Sequence, residues 1–567
     1  MKKYVNHQII SGGQAVVETL KSKGVNFVFG LIGSATMEIF DGLYKNKDIK
    51  FIGVRDERTG AHMADGYARA SGKVGVMIAG QNGPGVTNLV TGIAQAYKAF
   101  SPIISLGGAI STEHLGKDGF QEIDQEVLFK NITKKTYTIK KVNSIPKTLY
   151  EAFKIAQTPR CGPVHINLPR DILAKNCAFN ISEKISIQKK RSCSKNDIKK
   201  IIDTITKSNQ PVIVAGGGLK NARDYKKIIQ LAKIINIPIV SSAGHGDVIP
   251  SNESLYAGQM GPRGNPLATK LVKSADLILA LGTRLGFNST FFSNQYINKK
   301  TLIIQIDIES SALGRYFPIF HGICADVNIV IEKLINELLK INKIDRFSSW
   351  RKKFFNERKE YLKNRDNNAK MVSEPIHPSG LFKILRDNLP TSSAITLDAG
   401  TLCLQATDML NFKKPPSLFT PLDFGLVGFS FACGLGVKLA KPEIPVISLM
   451  GDGGFGMTIS ELSTAVEYNI NTITIVMNNN SWGAEKAYQR DFYNKRYIGA
   501  DIKSPPFHKI AELYGAKGFY VKKLSQLRTA IKSALKCKKP AIINVEVDPE
   551  ALFSFRKDSF QHKQKTR

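Results

Sequence analysis

The chain has 567 residues, 43% of them hydrophobic, which is enough for more than one buried core. Its formal net charge of +33 comes from basic residues spread along the sequence and mixed with acidic ones, a pattern that favours a solvated surface over a specific nucleic-acid partner. No apolar run reaches the roughly 18 to 20 residues of a membrane span, and the N-terminus has no apolar signal core. The seven cysteines are scattered. We therefore expect a cytoplasmic protein without a membrane partner.

Short apolar segments followed by helical periodicity recur along the chain, which is typical of βαβ units in parallel sheets. Two polar stretches, 180–197 and 342–380, interrupt this alternation. We therefore predict an α/β fold with three doubly wound parallel-sheet domains at 1–178, 195–340 and 376–550. The strand candidates include NFVFGLIG, KVGVMIAG, PVIVAGGG, DLILALGT, PVISLMG and NTITIVM.

The first block holds one conspicuous acidic residue, Glu57, in "VRDERTGAHMADGYARASGK". It lies near a predicted strand end and precedes an amphipathic helix. Such a residue is more often a surface charge or a helix-dipole partner than a catalytic group. The second block contributes "AGGGL" at 215–219, a weak signal for a nucleotide site when taken alone.

The third block contains "LMGDGGFGMT", in which a buried strand ends at Gly-Asp-Gly. A predicted helix and strand follow and end at "NNN", so that Asn479 lies 27 positions after Asp452. This spacing returns the chain to the same sheet edge, where open α/β sheets bind ligands. Carboxylate, amide and backbone oxygens suit Mg²⁺, while glycines and a helix N-terminus suit phosphate. A bare Gly-Asp-Gly is usually a turn, but this combination predicts a Mg²⁺–diphosphate site.

The pattern "GDGGFGM…MNNN" resembles the thiamin-diphosphate motif of the superfamily that contains pyruvate decarboxylase and acetolactate synthase. The resemblance implies pyrimidine-binding, central and diphosphate-binding domains in that order. It also implies that the Asp452 and Asn479 side chains and the Ser481 backbone carbonyl bind Mg²⁺. The residues implied in binding the rest of thiamin diphosphate are Gly453 and Gly454 in this motif and Gly400 and Thr401 in "LDAGTL".

The same resemblance assigns the pyrimidine side of the site. Glu57 matches the catalytic glutamate that hydrogen-bonds the aminopyrimidine, although Asp56 stands where the family often has histidine. Gln121 in "KDGFQEID" is a second catalytic candidate. The remaining candidates are Pro84, Asn88, Gly425 and Val427 for the cofactor, and Ser34 and Phe120 for the substrate.

The segment after Asn479, "SWGAEKAYQRDFYNKR", resembles the sulfoacetaldehyde acetyltransferase subgroup. That resemblance implies conversion of sulfoacetaldehyde and phosphate to acetyl phosphate and sulfite in sulfonate breakdown. Lys486, Arg490 and Arg496 are candidates to bind these small anionic substrates. Acetolactate synthases carry "RFDDR" in an FAD-contacting region where this chain has "RLGFN", so FAD is not expected, although "AGGGL" leaves a nucleotide open.

Alternatives remain open at this point. The chain could be an acetolactate synthase or another 2-oxoacid carboligase. It could also be a scaffold or nucleic-acid-binding protein that uses a retired fold, although the Glu57, Asp452 and Asn479 set argues against retirement. The resemblance also implies a homodimer or homotetramer.

Overall fold

The computed structural model describes residues 8–179, 191–222, 225–262, 264–341, 346–371 and 374–554. Within these residues the chain forms three six-stranded parallel sheets and one two-stranded antiparallel sheet, with helices between the strands. This confirms the predicted α/β class with three parallel-sheet domains. The part of the first polar stretch at 180–190 lies outside the described residues, and the exact domain boundaries stay predictions.

The N-terminal sheet has the strand order β3-β2-β4-β5-β7-β6, and β1 pairs antiparallel with β8. Every residue of β4 and β5 is buried, as expected for central parallel strands covered on both faces. The strands are β1 (Gln8–Ser11), β2 (Phe27–Leu31), β3 (Lys50–Gly53), β4 (Gly75–Ala79), β5 (Ile103–Ala109), β6 (Lys135–Thr138), β7 (Val164–Pro169) and β8 (Asn176–Phe179). The helices are α1 (Gly12–Ser22), α2 (Met37–Lys45), α3 (Glu57–Ser71), α4 (Pro84–Asn88), α5 (Val90–Ala99), α6 (Gln125–Phe129), α7 (Ile145–Gln157) and α8 (Arg170–Ala174).

The central sheet has the order β11-β10-β9-β12-β13-β14, which places a change of winding direction between β9 and β12. Its strands are β9 (Pro211–Ala215), β10 (Ile239–Ser241), β11 (Tyr256–Gln259), β12 (Leu277–Leu281), β13 (Leu302–Asp307) and β14 (His321–Cys324). Its helices are α9 (Lys195–Lys207), α10 (Gly218–Ala222), α11 (Tyr225–Ile235), α12 (Pro266–Ser274), α13 (Phe287–Thr290) and α14 (Val327–Leu338). The charged stretch that follows forms α15 (Ser348–Asn367).

The C-terminal sheet has the order β16-β15-β17-β18-β20-β19. Its strands are β15 (Ala394–Leu397), β16 (Leu418–Phe419), β17 (Val446–Gly451), β18 (Ile473–Asn478), β19 (Lys517–Val521) and β20 (Ala541–Glu546). Its helices are α16 (Pro378–Asn388), α17 (Thr401–Met409), α18 (Ser430–Ala440), α19 (Asp452–Gly456), α20 (Glu461–Glu467), α21 (Gly483–Phe492), α22 (Phe507–Leu513) and α23 (Leu524–Lys536). Short 3₁₀ turns elsewhere in the chain lie at Ser34–Thr36, Thr112–His114, Val142–Ser144 and Ser310–Ala312.

Helices α3 and α18 join the N-terminal and C-terminal domains through glycine contacts. A Cβ at Gly436 would overlap the Met63 carbonyl oxygen, and a Cβ at Gly66 would overlap the Cys433 carbonyl oxygen. The two backbones therefore touch directly, because glycine has no side chain to keep them apart.

A buried ion pair joins the central domain to β16. Lys220 Nζ lies 2.6 Å from Asp247 Oδ1 and also donates to the Leu418 carbonyl oxygen at 2.9 Å. Asp247 Oδ2 accepts the backbone N–H groups of Ser417 and Leu418, each at 2.9 Å. Among the described residues, no helix has both the length and the apolar character needed to span a membrane.

Candidate active site

A cavity of about 290 Å³ opens at the carboxyl ends of β16, β15, β17 and β18 in the C-terminal sheet. These four strands are neighbours, so the segments that follow them meet at one edge of the sheet. The cavity is lined by Asp398–Thr401, Thr420–Leu422, Phe424, Gly425, Val427, Gly451, Gly453, Gly454, Asn479, Ser481–Glu485.

Three helices begin at this cavity. Helix α17 begins after Gly400, α19 begins after Gly451 and α21 begins after Trp482. The first backbone N–H groups of a helix have no partner within the helix and carry the positive end of its dipole. The wall can therefore hold a group with several negative oxygens, such as a diphosphate.

Three oxygen donors meet at the ends of β17 and β18. Asn479 Oδ1 lies 3.3 Å from Asp452 Oδ1 and 3.1 Å from the Ser481 carbonyl oxygen. In an octahedral Mg²⁺ site with bonds near 2.1 Å, adjacent ligand oxygens lie about 3 Å apart, so the spacing fits that ion. The opposite amide orientation would instead place a nitrogen there that donates to both oxygens. Thus the donor set suits a cation when the Asn479 amide presents its oxygen to it.

The carboxylate in this set is buried and turns one oxygen toward Asn479. Asp452 is buried, and burial raises the pKa of its carboxyl above the usual value. Its Oδ2 accepts from the Ser504 hydroxyl at 2.5 Å, which leaves Oδ1 facing Asn479. Within the described chain no cluster of three or more His, Cys, Asp or Glu side chains suits a metal, so this single-carboxylate set rests on amide and carbonyl oxygens instead.

Glycines shape the floor of the cavity. A Cβ at Gly453 would lie 2.6 Å from the Trp482 ring, and a Cβ at Gly454 would overlap the Asp398 carboxylate. Gly400 and Gly425 have φ angles of 116° and 79°, which L-residues rarely adopt, and a Cβ at either would meet nothing within 4 Å. The glycines therefore bring the backbone close to any ligand in the cavity.

Asp398, which the sequence reasoning did not single out, organises one wall. Its carboxylate accepts the backbone N–H groups of Gly428, Phe429 and Ser430 at 2.9, 2.7 and 3.3 Å. Burial raises the pKa of Asp398 to about 6, against the opposing effect of these hydrogen bonds. The contact fixes the segment that directly follows Val427, a cavity-lining residue predicted to bind the cofactor. The position of Asp398 one step before "AGT" could have suggested this role.

Glu57 lies apart from this cavity, at the first residue of α3 in the N-terminal domain. Its side chain is buried, and its Oε2 accepts from Asn88 Nδ2 at 3.0 Å. A Cβ at Gly85 would lie 3.0 Å from Oε1, so the glycine keeps the space beside that oxygen open. Asp56 caps the helix by accepting the Arg58 N–H at 2.8 Å.

The N-terminal candidates form a second half-site. Glu57 and Asn88 are in contact, and Pro84 begins α4, the helix that ends at Asn88. None of these three belongs to the lining of the C-terminal cavity. The chain therefore holds a carboxyl half-site and a diphosphate-type half-site as separate features.

Comparison with known proteins decides the family. The N-terminal and C-terminal TPP-binding domains of "Thiamine pyrophosphate enzyme" match residues 10–128 and 398–545, and the central domain of the same family matches residues 198–334. The chain belongs to the thiamine pyrophosphate enzymes. Since all three domains match, this protein is a thiamin-diphosphate-dependent enzyme.

Similar proteins carry two different activities in their names. "Probable acetolactate synthase large subunit" of Methanocaldococcus jannaschii is 33% identical over 553 positions, covering 96% of this chain and 93% of that protein. "Sulfoacetaldehyde acetyltransferase" of Castellaniella defragrans is 32% identical over 577 positions, covering 97% and 96%. "Acetolactate synthase isozyme 3 large subunit" of Escherichia coli is 30% identical over 537 positions, covering 93% and 92%. Similarity places the enzyme in the acetolactate synthase superfamily and leaves its substrate open.

Two of the predicted substrate and catalytic residues of this thiamine pyrophosphate enzyme meet at the carboxyl end of the N-terminal sheet. Ser34 and Gln121 are both hydrogen-bonded to Gln81, a residue that the sequence reasoning did not assign. The neighbouring residue Phe120 is 87% exposed in the single chain.

The three predicted cationic residues are outside the lining of the cavity. Lys486 Nζ pairs with Asp501 Oδ1 at 2.7 Å, and Arg490 Nε pairs with Asp491 Oδ1 at 2.9 Å. Arg496 is exposed. Their contacts with substrate stay predictions.

The central glycine run of the enzyme is partly exposed, with Gly216 buried, Gly217 half-buried and Gly218 exposed. A Cβ at Gly217 would lie 2.6 Å from the ring of His245, whose pKa is lowered by burial. The expectation that FAD is not a cofactor stays a prediction.

Proposed function

We propose that this enzyme converts sulfoacetaldehyde and phosphate to acetyl phosphate and sulfite, with thiamin diphosphate and Mg²⁺ as cofactors. The observation that carries the proposal concerns the wall of the cavity. The segment that resembles the sulfoacetaldehyde acetyltransferase subgroup begins at Ser481, and its first residues, Ser481–Glu485, line the cavity beside the oxygen donors. The residues that resemble the subgroup are therefore among those that a substrate in the cavity could contact.

The cofactor-holding roles follow from the geometry. Asp452, Asn479 and the Ser481 carbonyl would bind Mg²⁺, and the N–H groups at the starts of α17, α19 and α21 would bind the diphosphate. Bound thiamin diphosphate supplies a nucleophilic carbon for addition to a carbonyl group. Because Asn88 donates to Glu57 Oε2, Oε1 is the oxygen left to hold a proton at a ring nitrogen of the pyrimidine.

The conversion is redox-neutral and its atoms balance. The aldehyde carbon loses its hydrogen as a proton, the carbon–sulfur bond breaks and sulfite leaves with the electron pair of that bond. The former CH₂ takes up a proton to become CH₃, and the aldehyde carbon reaches the acid level. A bond then forms between the acetyl carbonyl carbon and an oxygen of phosphate. Since water would otherwise take the acetyl group to acetate, the site must hold phosphate and exclude water. Lys486, Arg490 and Arg496 are the proposed source of positive charge for these anions.

The test measures sulfite and acetyl phosphate together while inorganic phosphate is varied. We expect both products in equal amounts at saturating phosphate, and acetate in place of acetyl phosphate when phosphate is scarce. Charge-neutralising variants of Lys486, Arg490 and Arg496 should raise the phosphate requirement where that side chain binds phosphate. Lys509, on α22 and outside the cavity lining, offers a matched surface control. The absence of sulfite release by the cofactor-loaded enzyme would refute the proposal.

Acetolactate synthase is the second candidate. It is favoured by the relative from Methanocaldococcus jannaschii, which matches 96% of the chain at 33% identity. The discriminating assay supplies pyruvate and measures acetolactate. Acetolactate formation without sulfite release from sulfoacetaldehyde would select this candidate.

We also propose that two chains assemble so that the Glu57 half-site of one meets the cavity of the other, in a homodimer or homotetramer. The separation of the two half-sites within one chain supports this assembly, as does the 87% exposure of Phe120 beside Gln121. Sedimentation of the active enzyme should give a dimer or larger species. A fully active monomer would refute the shared site.

A further inference from the structure

A chain of hydrogen bonds links three polar side chains beside the Glu57 half-site. Gln81 Oε1 accepts from both the backbone N–H and the hydroxyl of Ser34, each at 3.0 Å. On its other side, Gln81 Nε2 donates to Gln121 Oε1 at 2.5 Å. Gln81 follows β4, Ser34 follows β2 and Gln121 lies in the loop after β5.

The backbone N–H of Ser34 fixes the direction of this chain. A backbone N–H can only donate, so the oxygen of the Gln81 amide must face Ser34 and its nitrogen must face Gln121. The Gln121 oxygen is then turned toward Gln81, and its NH₂ group points away. Among the described residues the Gln121 Nε2 atom has no acceptor. The Ser34 N–H group, acting through Gln81, thus determines that Gln121 presents its NH₂ group and not its oxygen to a ligand.

The loop that carries Gln121 is also held in place. Asn82 Nδ2 donates to the Gln121 carbonyl oxygen at 3.1 Å and to the Phe120 carbonyl oxygen at 3.4 Å. Gln121 has a φ of 63°, and a Cβ at Gly83 would lie only 2.5 Å from the Gln121 carbonyl oxygen. A backbone bonded to Asn82 and packed against Gly83 leaves the Gln121 amide few orientations, of which the bond to Gln81 selects one.

We propose that Gln81 is a positioning residue that holds Gln121 as a hydrogen-bond donor toward the anionic group of the substrate. The inference rests on the proposed function for the identity of that group, a sulfonate, whereas a carboxylate would take the same donor if the substrate were an oxoacid. Sulfonate and carboxylate oxygens only accept hydrogen bonds, so an outward NH₂ group binds them and an outward amide oxygen repels them.

The decisive variant is Gln81→Glu. A carboxylate still accepts from Ser34 but offers Gln121 only acceptors, so the Gln121 amide turns to donate to it and presents its oxygen outward. We expect the KM for sulfoacetaldehyde and the inhibition constant of 2-hydroxyethanesulfonate to rise about tenfold or more, as for the loss of a hydrogen bond to a charged group. The thiamin diphosphate requirement and the melting temperature should stay close to those of the unchanged enzyme.

Epistasis separates positioning from a structural role. Gln121→Ala should cause a loss of similar size, and the double variant Gln81→Glu/Gln121→Ala should bind the inhibitor no worse than Gln121→Ala alone. Gln81→Met, which adds no charge, provides the same comparison if the glutamate variant does not fold. Unchanged anion binding in the Gln81 variants would overturn the inference. So would a double variant whose fold-loss of inhibitor affinity equals the product of the fold-losses of the two single variants.

The proposed function and the Gln81 inference can fail separately. If the unchanged enzyme releases no sulfite but makes acetolactate, the proposed function is wrong, and the same variants are then compared by their KM for pyruvate. A tenfold rise in that KM with the same epistasis would still support the positioning role.

Discussion

Replacing Asp247 should destabilise the chain severely, because this carboxylate serves three partners at once. It is fully buried, it pairs with Lys220 at 2.6 Å, and it accepts the backbone N–H groups of Ser417 and Leu418. Breaking a buried ion pair by removing one partner costs about 3–5 kcal/mol, and each buried N–H left without an acceptor costs about 1–3 kcal/mol. Since these losses overlap when the site relaxes, we expect Asp247→Ala to lower the free energy of unfolding by about 4 kcal/mol or more.

The chain contains only two tryptophans, which makes the assay direct. Trp350 is buried in the core that α15 shares with the central sheet, and Trp482 lies at the cavity. Urea unfolding followed by intrinsic fluorescence therefore reports on both sides of the Asp247 contact. Lys134→Met is the control variant. Lys134 also donates to backbone groups, namely two carbonyl oxygens, but these lie in the N-terminal domain, away from β16.

A second variant tests the mechanism of the loss. Lys220→Met/Asp247→Asn removes both charges and keeps one acceptor for the β16 backbone. Because replacing both members of a buried pair is often close to neutral, it should be clearly more stable than Asp247→Ala. The reasoning fails if Asp247→Ala costs less than about 1 kcal/mol, or if the double variant is as unstable as the two single losses combined.

Three further outcomes are expected. Glu57→Gln should keep cofactor binding but lose about 100-fold or more of turnover, since only a proton-holding group is removed, and near-normal turnover would contradict the assignment. Asp452→Ala should weaken Mg²⁺-dependent binding of thiamin diphosphate, measured by calorimetry against Asp501→Ala, and equal affinity in the two variants would count against the cation site. The folded pKa of Asp398 is about 6, above its ordinary value of 3.8. Its contribution to stability should therefore be present below pH 4 and fall by about 3 kcal/mol as the pH rises through 6. Asp398→Asn should abolish that part of the pH profile, and a profile that it leaves unchanged would refute the assignment.

The sequence could predict the fold because its signal is local. A run such as "PVISLMG" becomes strand β17, which is buried from Val446 to Met450, and the 27 positions between Asp452 and Asn479 return the chain to the neighbouring strand β18. Motifs that end adjacent strands therefore identified one candidate cation site.

The contacts that complete the site have no such local signal. Asp398 binds a segment 30 positions away, Gln81 binds a side chain 40 positions away, and Asp247 binds backbone 170 positions away. None of these distances corresponds to a helix or strand period, so only the packed structure brings the groups together. The pairing of Lys486 with Asp501 likewise depends on how the loop after α21 returns to that helix.

The glycine contact between α3 and α18 has a mechanical consequence. Helix α3 begins with Glu57, and α18 begins at Ser430, whose N–H group is held by Asp398 beside the cavity. With backbone against backbone at Gly66 and Gly436, no compliant layer of side chains separates the two helices. We therefore expect the two helices to move as one rigid unit, with Glu57 at one end and the Asp398 contact at the other. If those ends serve two different sites of an assembled dimer, we expect a ligand that shifts one end to displace the other, so that occupancy of one site alters the affinity of the second.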